Sequence, residues 1–173
     1  MKRKKLVLLF SVLTLCFVFV SCSDSVNLDP ELIFEISTNK TIYRVNDKIS
    51  VRMVLRYQGV EPILVNRRLG VTPLNLPECA NSVNLSITNP LGNILKYRSR
   101  INIGCPKPKD FVILNSGEEI LKSQRIDEHF HFDKVGIYTI QAAYNNTSDH
   151  PDGRDAWKGT VESNVITIRI TPW

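Results

Sequence analysis

The chain has 173 residues, enough for one domain with its own core, and carries 22 Lys and Arg against 17 Asp and Glu, a net charge of +5. That excess points toward a nucleic-acid partner only until its location is noted: Lys2, Arg3, Lys4 and Lys5 lie in the first 21 residues, where no acidic residue lies. Without that segment 18 basic residues face 17 acidic ones, no dense basic stripe remains beyond scattered Arg67, Arg68, Arg98 and Arg100, and the composition argues against nucleic acid.

From the N-terminus, the basic head is followed by an apolar run, Leu6 to Val20, that is shorter than the roughly eighteen residues of a membrane span and reads as a signal peptide. The run ends in Phe19-Val20-Ser21-Cys22, which resembles the lipobox of bacterial lipoproteins, with Phe19 standing where that family usually has Leu. The resemblance implies cleavage after Ser21, acylation of Cys22 with palmitate-type chains and a stable membrane anchor, since two or more chains hold where one does not. It also implies a place in the bacterial cell envelope. Ser23 after the cysteine favours the outer membrane. The expected organisation is a signal peptide over 1–21, a lipidated tether over 22–30 and one domain over 31–173. A tether of nine residues at about 3.5 Å each reaches less than about 30 Å, so the domain is expected to work close to its membrane.

Within the domain, strand signals dominate. Leu32 to Ser37, Lys48 to Tyr57, Ile63 to Asn66, Val83 to Thr88, Ile94 to Arg100, Glu119 to Ile126, Phe130 to Phe132, Gly136 to Tyr144 and Asn164 to Ile170 are rich in β-branched or aromatic residues and often alternate. No segment sustains a helical period. Seven to nine short strands between turn signals predict an all-β, antiparallel sandwich. Cys16 lies in the signal and Cys22 carries lipid, which leaves Cys79 and Cys105 as an even pair in an exported chain and predicts a disulfide. Between them two alternating segments flank Asn89-Pro90-Leu91-Gly92, good turn chemistry, and a hairpin in simple register centred on position 92 would bring the two cysteines nearly opposite. Two cysteines without a second pair of ligands make a poor zinc site.

Gly136-x-Tyr138 resembles the tyrosine corner of immunoglobulin-like domains, although Ile140 stands where antibody domains have cysteine, so their inter-sheet disulfide is not implied. Trp157-x-Gly159 with the alternating Asn164 to Ile170 resembles the last hairpin of immunoglobulin-like modules in bacterial exported proteins. These likenesses cover roughly the last forty residues. The fold they imply is an immunoglobulin-like antiparallel β-sandwich, and they imply no activity.

No Gly-x-Ser-x-Gly elbow, His-Glu-x-x-His or phosphate-binding glycine loop is present, so no catalytic residue and no cofactor is predicted. His129 and His131, two apart, would share one strand face opposite Phe130 and Phe132; they are weak metal candidates if Asp133, or Asp149 and His150, came near, and otherwise the wet face of a half-buried strand. The long loop Asn145 to Ala156 offers Asp149, His150, Asp152, Arg154 and Asp155 as a partner-binding surface, its acidic spacing unlike a calcium loop. Trp157 beside it either stacks on a sugar or packs on its own strand, since large aromatics usually bury. The function expected is non-enzymatic: a lipid-anchored envelope protein that binds an envelope protein or glycan through an end loop. A proteinase-inhibitor-like domain is the alternative, and a metal-binding domain is a third reading.

Overall fold

The computed structural model describes residues 31–73, 82–100 and 104–173. The segments expected to form the signal peptide and the tether, with Cys22, and also Cys79, lie outside the described residues. Among the described residues eleven strands follow in order: β1 (Leu32–Thr38), β2 (Ile42–Arg44), β3 (Ser50–Tyr57), β4 (Ile63–Asn66), β5 (Val71–Thr72), β6 (Ser82–Thr88), β7 (Phe111–Leu114), β8 (Glu119–Arg125), β9 (Gly136–Asn146), β10 (Gly159–Glu162) and β11 (Ile166–Thr171). One sheet has the order β1-β3-β8 and a second the order β2-β11-β9-β6-β5, with β10 also on β9; β4 and β7 form a small third sheet. The chain is thus all-β and sandwich-like. The larger sheet is mixed rather than purely antiparallel, because β2 runs parallel to β11 and β5 parallel to β6, whereas the other two sheets are antiparallel.

Alternation explains the inner faces. In β3, Val51, Met53, Leu55 and Tyr57 are buried while Arg52 stays exposed; in β9, Tyr138, Ile140, Ala142 and Tyr144 are buried. Both are central strands, so their apolar rows form the middle of one core. Removing each large aliphatic or aromatic side chain from water contributes about 1.5 to 3 kcal/mol.

Opposite the edge strand β1 the chain makes a β-bulge. Glu162 faces Ala143 and Ile166 faces Ile140, so three residues, Ser163 to Val165, oppose only Gln141 and Ala142. Ser163 N–H donates to the Ala142 carbonyl (2.8 Å), and its Oγ accepts from Ala142 N–H (2.9 Å). The Asn164 amide then accepts from Ile36 N–H (2.9 Å) and donates to Ile36 O (3.1 Å). Those bonds give the open edge of β1 partners from the other sheet and keep it from pairing elsewhere.

At the start of β9 Tyr138 bonds the backbone upstream: Lys134 N–H donates to Tyr138 Oη (2.9 Å), and the Tyr138 hydroxyl donates to Lys134 O (3.0 Å). Gly136 sits there at φ +137°, and a Cβ on it would fall 2.7 Å from Pro90 Cγ. Pro90 belongs to the predicted turn, closed by Gly92 N–H to Asn89 O (2.9 Å) with Gly92 at φ +81°. Gly136→Ala is therefore expected to destabilise by about 1 to 3 kcal/mol from backbone strain, plus the displacement of Pro90. Urea unfolding measures it, with Gly153→Ala, a positive-φ glycine with open space around it, separating strain from clash.

Two predicted strands do not form. After the turn, Ile94 bridges Thr88 and Leu95 N–H reaches Ile87 O (2.8 Å), but the segment then leaves the ladder and Arg98 N–H donates to His129 O (2.9 Å). The cause is burial: Tyr97 stacks on His129 (5.2 Å) and meets Phe130 edge-on (5.5 Å), contacts a continued hairpin would forfeit. The Thr88–Ile94 pairing centres the turn on position 91 rather than 92, and Cys79, at the far end of the expected hairpin, lies outside the described residues. Phe130 to Phe132 is likewise not a strand. His129 and Phe130 N–H both bond Ile126 O in a tight turn, from which Phe130 and Phe132 still enter the core.

Candidate functional site

β9 extends to Asn146, so the loop expected over 145–156 runs instead from Thr147 to Lys158. It is not a solvated polar tip. Its middle folds inward: His150 is 5% exposed and packs edge-on against Phe111 of β7 (5.0 Å), and Ala156 is buried. His150 N–H donates to Arg154 O (3.1 Å) and Gly153 N–H to His150 O (2.8 Å), a turn that exposes Asp152 and Arg154. At the loop's base, Trp157 N–H donates to Leu64 O of β4 (2.8 Å), and the Trp157 ring stacks on Tyr144 (5.8 Å). The Asn146 amide caps the base by donating to Ser148 O (3.2 Å) and to Trp157 O. Trp157 therefore packs on its own domain.

The charged groups brace one another. Arg154 Nη2 lies 3.0 Å from His150 Nε2, and His150 Nδ1 is hydrogen-bonded with Asp152 Oδ1. Arg154 Nε closes the triangle at 3.0 Å from Asp152 Oδ2. Asp149 accepts from Ala156 N–H (3.2 Å) and from Lys158 Nζ (2.8 Å), while Asp155 is exposed beside Lys158. The hydrogen bond from Lys158, then that from Ala156, holds the Asp149 carboxyl below its ordinary range; Arg154 does the same for Asp152.

Because these folded pKa values are depressed, both carboxylates favour the closed loop above their unfolded pKa of about 3.9, and that contribution is lost as pH falls through the folded values. Amide hydrogen exchange at Ala156 and Arg154, corrected for its intrinsic pH dependence, is expected to be flat from neutral pH to about pH 5 and to rise below about pH 4. Unchanged protection well below that range would mean that the carboxylates do not brace the loop.

The histidine pair is not brought together on one face. His129 is half-buried with Nδ1 2.8 Å from Ser99 Oγ and Nε2 2.9 Å from Gln124 Nε2, whereas His131 is exposed. Both ring nitrogens of His129 are thereby committed to protein partners, and among the described residues no group of three or more His, Cys, Asp or Glu is placed to hold a metal. Sequence reasoning missed two residues that build the loop site, Phe111 and Asn66. Phe111 sits in FVIL, an apolar run that marks a strand. Asn66, fully buried, accepts the Tyr144 hydroxyl through its carbonyl (2.7 Å), and no sequence signal marks it.

Position adds one more fact. β1 begins at Leu32 opposite Tyr57, and Phe34 two residues on lies 6.1 Å from the Tyr144 ring that carries Trp157. The chain enters the domain at the end that bears the Thr147 to Lys158 loop. The turns at Val45–Ile49, Asn89–Gly92 and Ile126–Val135 lie at the other end. No family model matches the chain, and no curated protein does.

Proposed function

We propose that this is a non-enzymatic lipoprotein, anchored through Cys22 in the bacterial cell envelope at the outer membrane, that binds an envelope protein or glycan through its Thr147 to Lys158 loop. The observation that carries the binding half is the loop itself: a turn displaying Asp152, Arg154 and Asp155, held in one conformation by a buried histidine. A pre-braced polar surface binds at low ordering cost. The anchor half rests on the basic head, the fifteen-residue apolar run and Phe19-Val20-Ser21-Cys22. With a tether of nine residues before Glu31, the loop end of the domain faces the bilayer, and a partner met there is one held at the membrane surface.

The immunoglobulin-like reading is supported by the strand orders β1-β3-β8 and β2-β11-β9-β6, by a first strand split between the two sheets, and by the corner bonding at the start of β9. Cys79 remains the proposed partner of Cys105. The support is that the Cys105 sulfur is bonded rather than titrating, with Cys16 and Cys22 assigned to the signal and the lipid. Such a bridge would stabilise by about 3 to 4 kcal/mol on the loop-closure model. A proteinase-inhibitor role fits less well, since the loop turns back on itself at His150 to Arg154 and does not present an extended segment to a cleft.

Mass spectrometry of the protein purified from membranes is expected to show an N-terminus at acylated Cys22; an intact Met1 or an unmodified start at Ser23 would refute the anchor. Capture of partners from envelope extract is expected to fall on Asp155→Arg, an exposed change outside the brace, and undiminished capture would refute the loop.

A further inference from the structure

At the end of the domain opposite the loop, the turn after β2 and the connection between β8 and β9 enclose a cleft of about 160 Å³. Ile49, Phe130 and Phe132 form its floor, all nearly inaccessible, so what a ligand meets is the polar rim. Arg44, Asn46 and Asp47 contribute from one side, Asp127 and His131 from the other. The first three are set by a tight turn in which Arg44 N–H donates to Asp47 Oδ2 (2.9 Å), Asp47 N–H donates to Arg44 O (3.0 Å), and Asn46 adopts φ +68°, a left-handed conformation that Asn tolerates better than most residues.

The rim holds both signs of charge, and its two carboxylates are already paired. Asp47 pairs with Lys40 (2.6 Å), whose hydrogen bond holds the Asp47 carboxyl below its ordinary range. Burial pushes Asp127 up, but the bonds from Arg125 and from Ile49 N–H (3.0 Å) outweigh it and keep this carboxyl low as well. Among the described residues, the Arg44 guanidinium and the His131 imidazole make no hydrogen bond or ion pair, and Asp47 Oδ1 is also without a partner. A free anion entering here would meet two carboxylates, and a metal cation would meet Arg44 with Lys40 and Arg125 behind it. A neutral polyol meets donors and acceptors that both suit hydroxyl groups. Drug-sized ligands usually take roughly 300 Å³ or more, so a ligand here is small.

We propose that this cleft binds one neutral sugar unit, with vicinal hydroxyls bridging the Arg44 guanidinium, the His131 ring and the free Asp47 oxygen. The site goes beyond the loop reading and uses neither the loop nor the anchor. Lying at the end of the domain away from Leu32, it suits the end of a glycan as well as a free monosaccharide.

The test is a set of amide NMR titrations of the folded domain with glucose, galactose, mannose and N-acetylglucosamine, each free and as the terminal unit of an oligosaccharide. At least one sugar is expected to shift the amides of Asp47, Ile49 and His131 with roughly millimolar affinity, as a small ligand in a small cleft should. Response to the free sugar and the oligosaccharide alike means that the terminal unit alone is read; response to the oligosaccharide only means a glycan-end site, and either supports the proposal. Arg44→Ala is expected to weaken binding about tenfold or more, through loss of a charged hydrogen bond, while leaving shifts elsewhere in place. His131→Ala is the second variant and is expected to weaken binding as well. The proposal is overturned if no sugar moves these amides, if Arg44→Ala and His131→Ala both bind as the parent does, or if sodium phosphate or calcium chloride moves the same amides and the sugars do not.

Discussion

Ile140→Ala is expected to lower the unfolding free energy by about 2 to 5 kcal/mol, the range for deleting a buried aliphatic side chain and leaving a cavity. Ile140 is fully buried on the inner face of β9, opposite Ile87 of β6 and Ile166 of β11, in the middle of the larger sheet. Neither neighbouring strand can close over the gap without breaking its own ladder, which argues for the upper half of that range. Three residues earlier on the same strand, Ile137 is half exposed on the outer face, and Ile137→Ala is expected to change stability by no more than about 0.5 kcal/mol. Urea unfolding of the two variants reads the difference directly. Equal losses would mean that the inward and outward faces of β9 are wrongly assigned.

The alternation that makes this contrast possible was legible in the sequence wherever a strand has one wet face. Ser50 to Tyr57 and Gly136 to Tyr144 declare their buried rows, and the bounds of β4 were read as they stand. The same signal misled at Ile94 to Arg100 and Phe130 to Phe132, where alternate apolar residues do face the core but from irregular chain. Alternation reports which side chains are buried, and only a neighbouring backbone makes them a ladder. Here Tyr97, His129 and Phe130 packed together instead. β2, β5, β7 and β10 were missed because two to four residues are too few to show a period. Pairing direction was illegible as well, since nothing in Ile42–Arg44 shows that it lies parallel to β11. At the loop, the residues offered for binding are neighbours in sequence, but their division into a buried brace and an exposed display depends on Phe111, which stands 39 positions before His150 and meets it only through the fold.

Tyr144 is where that brace meets the core, and its substitutions are expected to separate two costs. The ring lies between Phe34 (6.1 Å) and Trp157 (5.8 Å), and the buried hydroxyl donates to Asn66 O (2.7 Å). Burial pushes its pKa far up, only partly offset by that bond, so the phenol stays neutral. Asn66 Nδ2 is buried without a hydrogen-bond partner, so the site already holds one unpaired polar group. Tyr144→Phe keeps the packing and strands the Asn66 carbonyl too, at an expected cost of about 1 to 3 kcal/mol. Tyr144→Ala removes the ring as well and is expected to cost about 3 to 5 kcal/mol or more. The two variants should also differ at the loop. Without the ring, Trp157 loses the surface it stacks on, and its N–H bond to Leu64 and the Asn146 amide bond to its carbonyl are then the ties left at the loop's base. Amide exchange at Trp157, Ala156 and Arg154 is therefore expected to quicken in Tyr144→Ala by more than the global loss of stability explains, and to track global stability in Tyr144→Phe. If the loop amides of Tyr144→Ala follow the global change alone, the loop is held by His150 and Phe111 without help from the core, and the stack on Tyr144 contributes packing only.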